Sequence, residues 1–177
     1  IASDDMPSAE KPAPVTTREI NKEYLDMLSS RITLGKRRPK VVCDSGNGTG
    51  GLYAPEFLRR IGCEVTELFS TPDGTFPNHH PDPTKRENLP KLIETVKAVG
   101  ADFGVGFDGD SDRIGVVDNN GEVIWGDRLM ALYWSEILPK HPGALAICEV
   151  KSSMALPEYV EQLGGRPIWW NAGHSLV

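Results

Sequence analysis

The feature that most constrains the fold of this chain is the alternation of short apolar runs with segments of helical periodicity. Strands separated by helices pair in parallel through right-handed crossovers. Asn120-Gly121, between two further apolar runs, indicates a β-hairpin and so an antiparallel element. The sequence therefore predicts a three-layer α/β/α fold with a mixed, mainly parallel sheet. The predicted strands are 40–43, 63–69, 103–107, 114–118 and 122–125, and the helices between the first three are 54–61 and a segment that ends at Gly100.

Two further helices are predicted on either side of these strands. Thr16 to Glu19 has capping-box spacing, and the apolar residues that follow at helical intervals predict a helix that ends near Gly35. Asp127 is predicted to cap a later helix. The predicted buried stripe of that helix is Leu129, Leu132, Tyr133 and Ile137.

The two ends of the chain differ from this domain, which is expected to span residues 15–142. Residues 1–14 are rich in proline, alanine and charge without periodicity, which predicts a linker or tail. After residue 142 the strand–helix–strand pattern restarts once, with a helix predicted at 154–163. Because one such unit buries little apolar surface, residues 143–177 are expected to be the incomplete start of a second α/β domain.

Composition disfavours several classes of protein. A net charge of −6 argues against a nucleic-acid partner, and no apolar run approaches the roughly 20 residues that span a membrane. Three widely spaced cysteines, Cys43, Cys63 and Cys148, predict neither a disulfide framework nor a zinc site. Such free thiols fit a cytoplasmic protein. The chain begins at Ile1 rather than Met, which leaves a targeting segment open.

A glycine-rich loop after the first strand permits two interpretations. Residues 46–51 match G-x-G-x-x-G, and Glu67 stands about where a dinucleotide site has its ribose-binding acid. Against that site, Asp44 and Ser45 separate the strand from the first glycine, and a carboxylate there would repel a pyrophosphate. The favoured interpretation is a tight strand-to-helix turn. A nucleotide-binding oxidoreductase is the alternative.

The carboxylate loop, residues 108–113, reads Asp-Gly-Asp-Ser-Asp-Arg. It follows an apolar strand at its carboxyl end, which is where open α/β sheets bind ligands. At ~5 Å and an effective dielectric constant near 20, each close pair of its carboxylates costs roughly 3 kcal/mol. Such a cluster needs a cation, protonation or an arginine. All-oxygen ligands suit a hard ion such as Mg²⁺, with phosphate oxygens and water completing the octahedron. Arg113 would bind a phosphate beside the metal.

Other patterns fit the carboxylate loop less well. An EF-hand would need Gly at its sixth position and Glu at its twelfth, where Arg113 and Asn119 stand. A phosphatase of the haloacid-dehalogenase type would need D-x-D-x-[TV], but Asp112 occupies the last position. The structural alternative is a solvated turn in which the aspartates bond the backbone and Arg113.

At this loop the sequence resembles the α-D-phosphohexomutases, the phosphomannomutase/phosphoglucomutase family, whose metal loop reads D-G-D-G-D-R. DSGNGTGG, FPNHHPDPTKRENL and GFDGDSDRIGVVD resemble the second domain of that family, and ICEVKSS and GGRPIWWNAGHSLV resemble the opening of its third. The resemblance covers nearly everything from Val15 to Val177. It implies an intramolecular phosphotransferase that interconverts hexose 1-phosphate and hexose 6-phosphate through a phosphoserine and a bisphosphorylated sugar.

The resemblance also implies roles for particular residues. The Mg²⁺ ligands, together with the phosphoserine, would be Asp108, Asp110 and Asp112. Arg113 would contact phosphate or sugar near the serine, and Lys151 and His174 would act in substrate binding or proton transfer. His79 and His80 belong to a loop of the family rather than to its metal site, and a structural role is expected for both.

The chain departs from the family pattern in three places. Ser111 replaces the middle glycine of the metal loop, so the local backbone must accept a Cβ. Asn171 and Ala172 stand where the family more often has a charged residue and Thr. No T-x-S-H-N-P-like phosphoserine loop occurs in these 177 residues. The chain is therefore expected to be an internal piece of the enzyme, inactive alone.

The expected partners are a phosphorylated hexose and the missing domains of the same enzyme. The choice among glucose, mannose and glucosamine stays open, because the sugar-reading segments of the family lie outside this sequence. A stand-alone metal- or phosphate-binding module without catalysis is the alternative function.

Overall fold

The computed structural model describes residues 13–173, which form a five-stranded sheet, a two-stranded sheet and five α-helices. The strands are β1 (Lys40–Asp44), β2 (Glu64–Leu68), β3 (Phe103–Phe107), β4 (Ile114–Asp118), β5 (Val123–Ile124), β6 (Leu145–Glu149) and β7 (Arg166–Trp170). The helices are α1 (Asn21–Ser30), α2 (Ala54–Arg60), α3 (Pro90–Val99), α4 (Gly126–Ile137) and α5 (Ala155–Gln162), with 3-10 turns at Thr49–Leu52 and Arg86–Asn88.

The larger sheet has the strand order β2-β1-β3-β4-β5. β1 is parallel to both β2 and β3, whereas β4 is antiparallel to β3 and to β5. The β4–β5 hairpin turns at Gly121, whose φ of +84° explains the glycine in the Asn-Gly signal. Helices lie on both faces of the sheet, so the predicted three-layer α/β/α fold is confirmed.

One face of the sheet is covered by α3. Pro90 stands in the first turn, where no backbone N–H donor is needed, and Gly100 ends the helix in the left-handed conformation. Leu92 and Val96 are fully buried in the cluster between this helix and the sheet. Gly104 of β3 permits the close approach, since a Cβ there would lie 2.6 Å from the side chain of Val96.

The opposite face is covered by α2, with α1 packed outside it. Cys43 and Val105 are buried on this face, and Leu58 of α2 packs against them. Burial raises the pKa of the Cys43 thiol to about 12, so this cysteine is a core residue rather than a nucleophile. Tyr24 of α1 meets Tyr53 edge to face, with the ring centroids 5.5 Å apart.

The two-stranded sheet forms a second, smaller unit. β6 and β7 are parallel and α5, the crossover between them, covers one face with Leu156 and Val160. Leu138, immediately after α4, belongs to the same buried cluster. The division expected at residue 142 stays a prediction, because α4 precedes that residue but packs on the unit that follows it.

The first helix differs from its prediction at both ends. α1 begins at Asn21 after Ile20, which makes no side-chain capping bond, so the predicted capping box at Thr16 is wrong. Glu19 instead accepts a hydrogen bond from the Asn21 backbone N–H (2.9 Å). The helix ends at Ser30, short of Gly35, and Leu25 is its buried residue.

The predicted buried stripe of α4 is also wrong, apart from Leu129. Leu132, Tyr133 and Ile137 are exposed, because α4 turns Trp134 and its neighbours toward the two-stranded unit instead of the five-stranded sheet. Asp127 does not cap the helix, which begins after Trp125. Its carboxylate accepts hydrogen bonds from the backbone N–H groups of Arg128 (2.8 Å) and Ser153 (3.1 Å).

The cysteines and the lengths of the helices bear on two of the predictions from composition. All three cysteines are free, and Cys43 and Cys148 are buried. Within residues 13–173, no helix combines the length and the apolar character needed to cross a membrane.

We expect Leu92→Ala to lower the free energy of unfolding by about 3 kcal/mol, because it leaves a cavity between α3 and the sheet. The matched control is Leu132→Ala, whose side chain is 57% exposed and should cost under about 0.5 kcal/mol. Urea unfolding followed by circular dichroism measures both changes. Equal losses in the two variants would contradict the packing of α3 and α4 described above.

Candidate metal centre

The three aspartates of the carboxylate loop meet at the carboxyl end of β3. Asp108 follows the last residue of the strand and is 1% exposed, whereas Asp110 and Asp112 are more open to solvent. One carboxylate oxygen of each lies within 4.8 Å of the others. The Ser111 N–H donates to the carbonyl of Asp108 (3.2 Å), which closes the turn that brings them together.

The carboxylates of the loop differ in their electrostatic surroundings. Burial acts to raise the pKa of Asp108, but hydrogen bonds from the backbone and side chain of Arg113 outweigh it and lower that pKa. The pKa of Asp112 is raised by its interaction with Asp108, by desolvation and by the negative charge of Asp110. Three carboxylates thus share one arginine, and whether a cation completes the cluster stays a prediction.

Arg113 donates hydrogen bonds to two carboxylates and lies within ion-pair distance of a third. Its backbone N–H donates to Asp108 Oδ1 (3.0 Å) and its Nε–H to Asp108 Oδ2 (2.7 Å). Its Nη1 donates to Asp82 Oδ1 (3.2 Å), and Asp112 Oδ1 is 3.6 Å from Nε. Sequence reasoning missed Asp82. The available signal was an aspartate between two prolines and near a threonine, a pattern typical of a fixed turn.

Ser111, the departure from the family motif, has a left-handed backbone. Its φ is +66°, a conformation that a Cβ makes less favourable by roughly 1–2 kcal/mol. Its hydroxyl lies 3.3 Å from Thr49 Oγ1, within hydrogen-bonding distance. Gly50 leaves room for this side chain, since a Cβ there would lie 2.8 Å from Ser111 Oγ. The loop therefore accepts serine in place of glycine.

The glycine-rich loop lies directly against the carboxylate loop. The Thr49 N–H donates to the carbonyl of Gly109 (3.0 Å). A Cβ on Gly48 would lie 2.7 Å from that carbonyl oxygen, and a Cβ on Gly51 would lie 1.9 Å from the carbonyl oxygen of Ser70. These glycines are thus required for close backbone contacts.

The backbone N–H groups of the glycine-rich loop are largely used within the protein. Those of Gly46, Asn47, Gly48 and Thr49 donate to Asp44, Phe69, Ser45 and Gly109, respectively. Glu67, the candidate ribose-binding acid, pairs with Arg59 (2.5 Å). The loop has the geometry of the tight turn that the sequence favoured, and its amide donors do not form a free pyrophosphate cradle.

A hydrogen-bonded pair, Asp44 and His79, ties the glycine-rich loop to the long loop before α3. Asp44 is 2% exposed, and both of its carboxylate oxygens lie 3.1 Å from Nε2 of His79. The other ring nitrogen, Nδ1, faces the carbonyl of His80 (3.0 Å), so both nitrogens meet acceptors. The hydrogen bond to Asp44 raises the pKa of His79, despite partial burial. His79 thus links the two loops through hydrogen bonds, and its structural role stays a prediction.

The remaining predicted site residues lie elsewhere. Lys151 has a side chain that is 80% exposed and pairs with Glu149 at the end of β6 (3.4 Å). Among residues 13–173 it makes no hydrogen bond or ion pair with the carboxylate loop. His174 lies outside the described residues. The structure thus brings together the three aspartates and Arg113 but does not join Lys151 to them.

The family description phosphoglucomutase/phosphomannomutase, α/β/α domain II, matches residues 22–121, more than half of the chain. The chain belongs to this family. The matched phosphoglucomutase/phosphomannomutase domain contains the five-stranded sheet up to the β4–β5 turn and the whole carboxylate loop.

Individual members of the phosphoglucomutase/phosphomannomutase family match more of the chain. A phosphomannomutase/phosphoglucomutase of Pseudomonas putida is 48% identical over 90% of the chain and 34% of its own length. A phosphoglucomutase of Neisseria meningitidis serogroup B is 42% identical over 100% of the chain and 38% of its own. A crystal structure of a family protein from Burkholderia thailandensis superposes with a TM-score of 0.85 at 43% identity, covering 89% of this chain and 34% of that one. The chain spans about a third of these relatives.

We expect Gly48→Ala to displace the carboxylate loop, because the new Cβ cannot lie 2.7 Å from the Gly109 oxygen. The free energy of unfolding should fall by about 1–3 kcal/mol. Thermal and urea unfolding measure this change. Gly74→Ala is the control, since a Cβ there meets nothing within 4 Å. A stable Gly48→Ala with unchanged backbone amide shifts in residues 108–113 would refute the contact.

The Asp44–His79 pair predicts a pH dependence of stability. Because the folded-state pKa of His79 is raised, its contribution is fully present below the unfolded value of ~6.5 and is lost as pH rises through the folded value. His79→Gln should therefore lose less stability than the wild type between pH 6 and pH 9. Urea unfolding across this range, with exposed His141→Gln as the control, measures the difference. Parallel profiles for wild type and His79→Gln would show that the pair contributes no such term.

Proposed function

We propose that this chain supplies the metal-binding unit of a phosphohexomutase. In that enzyme a phosphoserine donates its phosphoryl group to a hexose phosphate, and the bisphosphorylated sugar returns its other phosphate to the serine. The net reaction interconverts hexose 1-phosphate and hexose 6-phosphate. The observation that carries this proposal is the convergence of three aspartates and Arg113 at the carboxyl end of β3, in a chain of this family.

The donor set of the carboxylate loop fits Mg²⁺. Asp108, Asp110 and Asp112 each offer a carboxylate oxygen, and hard divalent ions prefer oxygen ligands. With Arg113 counted, the four charged side chains of the loop sum to −2, and Asp82 adds negative charge beside Arg113, so a divalent cation is favoured there. Mg²⁺ bound there would supply positive charge to the oxygens of a transferring phosphoryl group. The phosphoserine would come from another part of the enzyme.

Arg113 would bind phosphate beside the metal. Its Nε and Nη1 donate to Asp108 and Asp82, while within the described chain Nη2 makes no hydrogen bond. A guanidinium held in this way presents its remaining N–H groups in a fixed direction, which suits recognition of phosphate oxygens. Its side chain is half exposed, so a ligand can reach it.

Lys151 and His174 are proposed as further groups that contact the substrate or transfer a proton. The exposed ammonium of Lys151 suits an anionic ligand, and histidine has the pKa range for proton transfer. A phosphorylated hexose and further domains of the same enzyme are the proposed partners. The proposed location is the cytoplasm, in keeping with three free cysteines.

We expect Asp110→Asn to weaken Mg²⁺ or Mn²⁺ binding by about ten-fold or more, because it removes one charged ligand. Isothermal titration of the 177-residue chain measures the affinity, with metal in the millimolar range because the phosphoserine is missing. Glu94→Gln, which removes the same charge from the surface of α3, should leave the affinity unchanged. Equal affinities in wild type and Asp110→Asn would rule out the proposed site.

A further inference from the structure

Asp82 is fixed in place by its own loop. It stands between Pro81 and Pro83, and Pro83 disfavours the helical conformation at Asp82. Its Oδ1 accepts hydrogen bonds from the backbone N–H (3.1 Å) and the hydroxyl (2.6 Å) of Thr84. The hydroxyl of Thr84 is also the main reason why the pKa of Asp82 lies below its ordinary value. The Asp82 carboxylate is therefore held by Thr84 within its own loop, and the positive charge of Arg113 lowers its pKa further.

The two prolines also hold Asp82 against the β3–β4 hairpin. A Cβ on Gly115 would lie 2.8 Å from Pro83 Cβ, and a Cβ on Gly109 would lie 3.6 Å from Pro81 Cγ. Asn88 adds a further restraint by donating from its side-chain amide to the carbonyl of Asp82 (2.9 Å). The loop and the hairpin are thus packed together at the point where Nη1 of Arg113 reaches Asp82.

Asp108 would hold the guanidinium of Arg113 less firmly if it also bound a cation. Both oxygens of Asp108 already accept N–H groups of Arg113, and Asp108 is also one of the three convergent carboxylates. A cation that draws on the charge of Asp108 weakens its attraction for the guanidinium. Asp82 lies outside the convergent set, so its attraction for Nη1 is not divided in this way.

We propose that Asp82 is a positioning residue, which keeps the guanidinium of Arg113 in its phosphate-binding orientation when Asp108 binds a cation. The proposal rests on the proposed function for the role of Arg113. It differs from a purely structural role, in which Asp82 only stabilises its own turn with Thr84 and in which the order of Arg113 is independent of Asp82.

The chain offers a closely matched control in the same loop. Asp73 accepts hydrogen bonds from the backbone N–H (2.9 Å) and the hydroxyl (2.7 Å) of Thr75, as Asp82 does from Thr84. Within the described residues, Asp73 makes no ion pair with an arginine. Asp73→Asn therefore reproduces the weakening of a turn of this kind without touching Arg113.

The test follows the rotation of the Arg113 guanidinium about its Nε–Cζ bond by NMR of the ¹⁵N-arginine-labelled 177-residue chain. The Arg113 signals are assigned by their loss in Arg113→Lys. We expect Asp82→Asn to speed this rotation about three-fold without metal and about ten-fold with saturating Mg²⁺, since only then is Asp108 shared. Asp73→Asn and the wild type should show slow rotation under both conditions.

A second variant guards against loss of the fold. Thr84→Val keeps the carboxylate of Asp82 but removes its hydroxyl donor, and it should speed the rotation in the same direction by a smaller factor. Urea unfolding identifies any variant that no longer folds. If Asp82→Asn unfolds, the rotation rate of the Arg113 guanidinium in Thr84→Val decides whether Asp82 positions it. A rate equal to that of the wild type would then overturn the proposal.

Rotation in Asp82→Asn that matches Asp73→Asn without metal, or that Mg²⁺ does not increase although the metal binds, overturns the positioning role. Failure of the proposed function has a different signature. The backbone amides of Asp110 and Asp112 in the wild type would then not respond to Mg²⁺. In that case the metal-free comparison alone decides whether Asp82 orients Arg113.

Discussion

The mutual repulsion of three carboxylates within 4.8 Å of one another is the constraint on which the architecture around β3 depends. The chain meets this constraint with a short, highly hydrogen-bonded loop. Arg113 donates both backbone and side-chain N–H groups to Asp108, which is the buried member of the set. Ser111 adopts a left-handed conformation that tightens the turn. The three aspartates and Arg113 together leave an excess of two negative charges at the carboxyl end of β3, where α/β proteins bind their ligands.

Two neighbouring segments hold the carboxylate loop from either side. The glycine-rich loop approaches so closely that Gly48 cannot carry a side chain, and Thr49 donates to the carbonyl of Gly109. On the other side, the loop before α3 contributes Asp82 to Arg113 and His79 to the buried Asp44. The glycines that resemble a nucleotide-binding fingerprint therefore serve contacts between protein backbones. Their spacing reflects the need to pack three irregular segments at one end of the sheet.

The sequence predicted features whose causes are local. Strand and helix periodicity, the stop at Gly100 and the dense run of aspartates each depend on residues within one turn or one strand. It did not predict the Asp44–His79 pair or the Asp82–Arg113 pair, whose members are 35 and 31 residues apart. The predicted buried stripe of α4 was wrong for a related reason. Periodicity shows that a helix has an apolar face, but the neighbouring unit decides which of its side chains are buried, and here that unit is β6–β7 with α5.

The position of Lys151 limits how the proposed site can operate. Its ammonium is directed to Glu149 and remains largely exposed, and in the described part of the chain it does not touch the carboxylate loop. Under the proposed function, Lys151 and Arg113 can act on one substrate only if that substrate extends from the end of β3 toward the end of β6. A hexose with phosphate at both ends carries negative charge at two positions, which would allow one phosphate to meet Arg113 and the other Lys151. The carboxylate loop would then neutralise and orient one phosphate, and the two-stranded unit would contact the other end of the sugar.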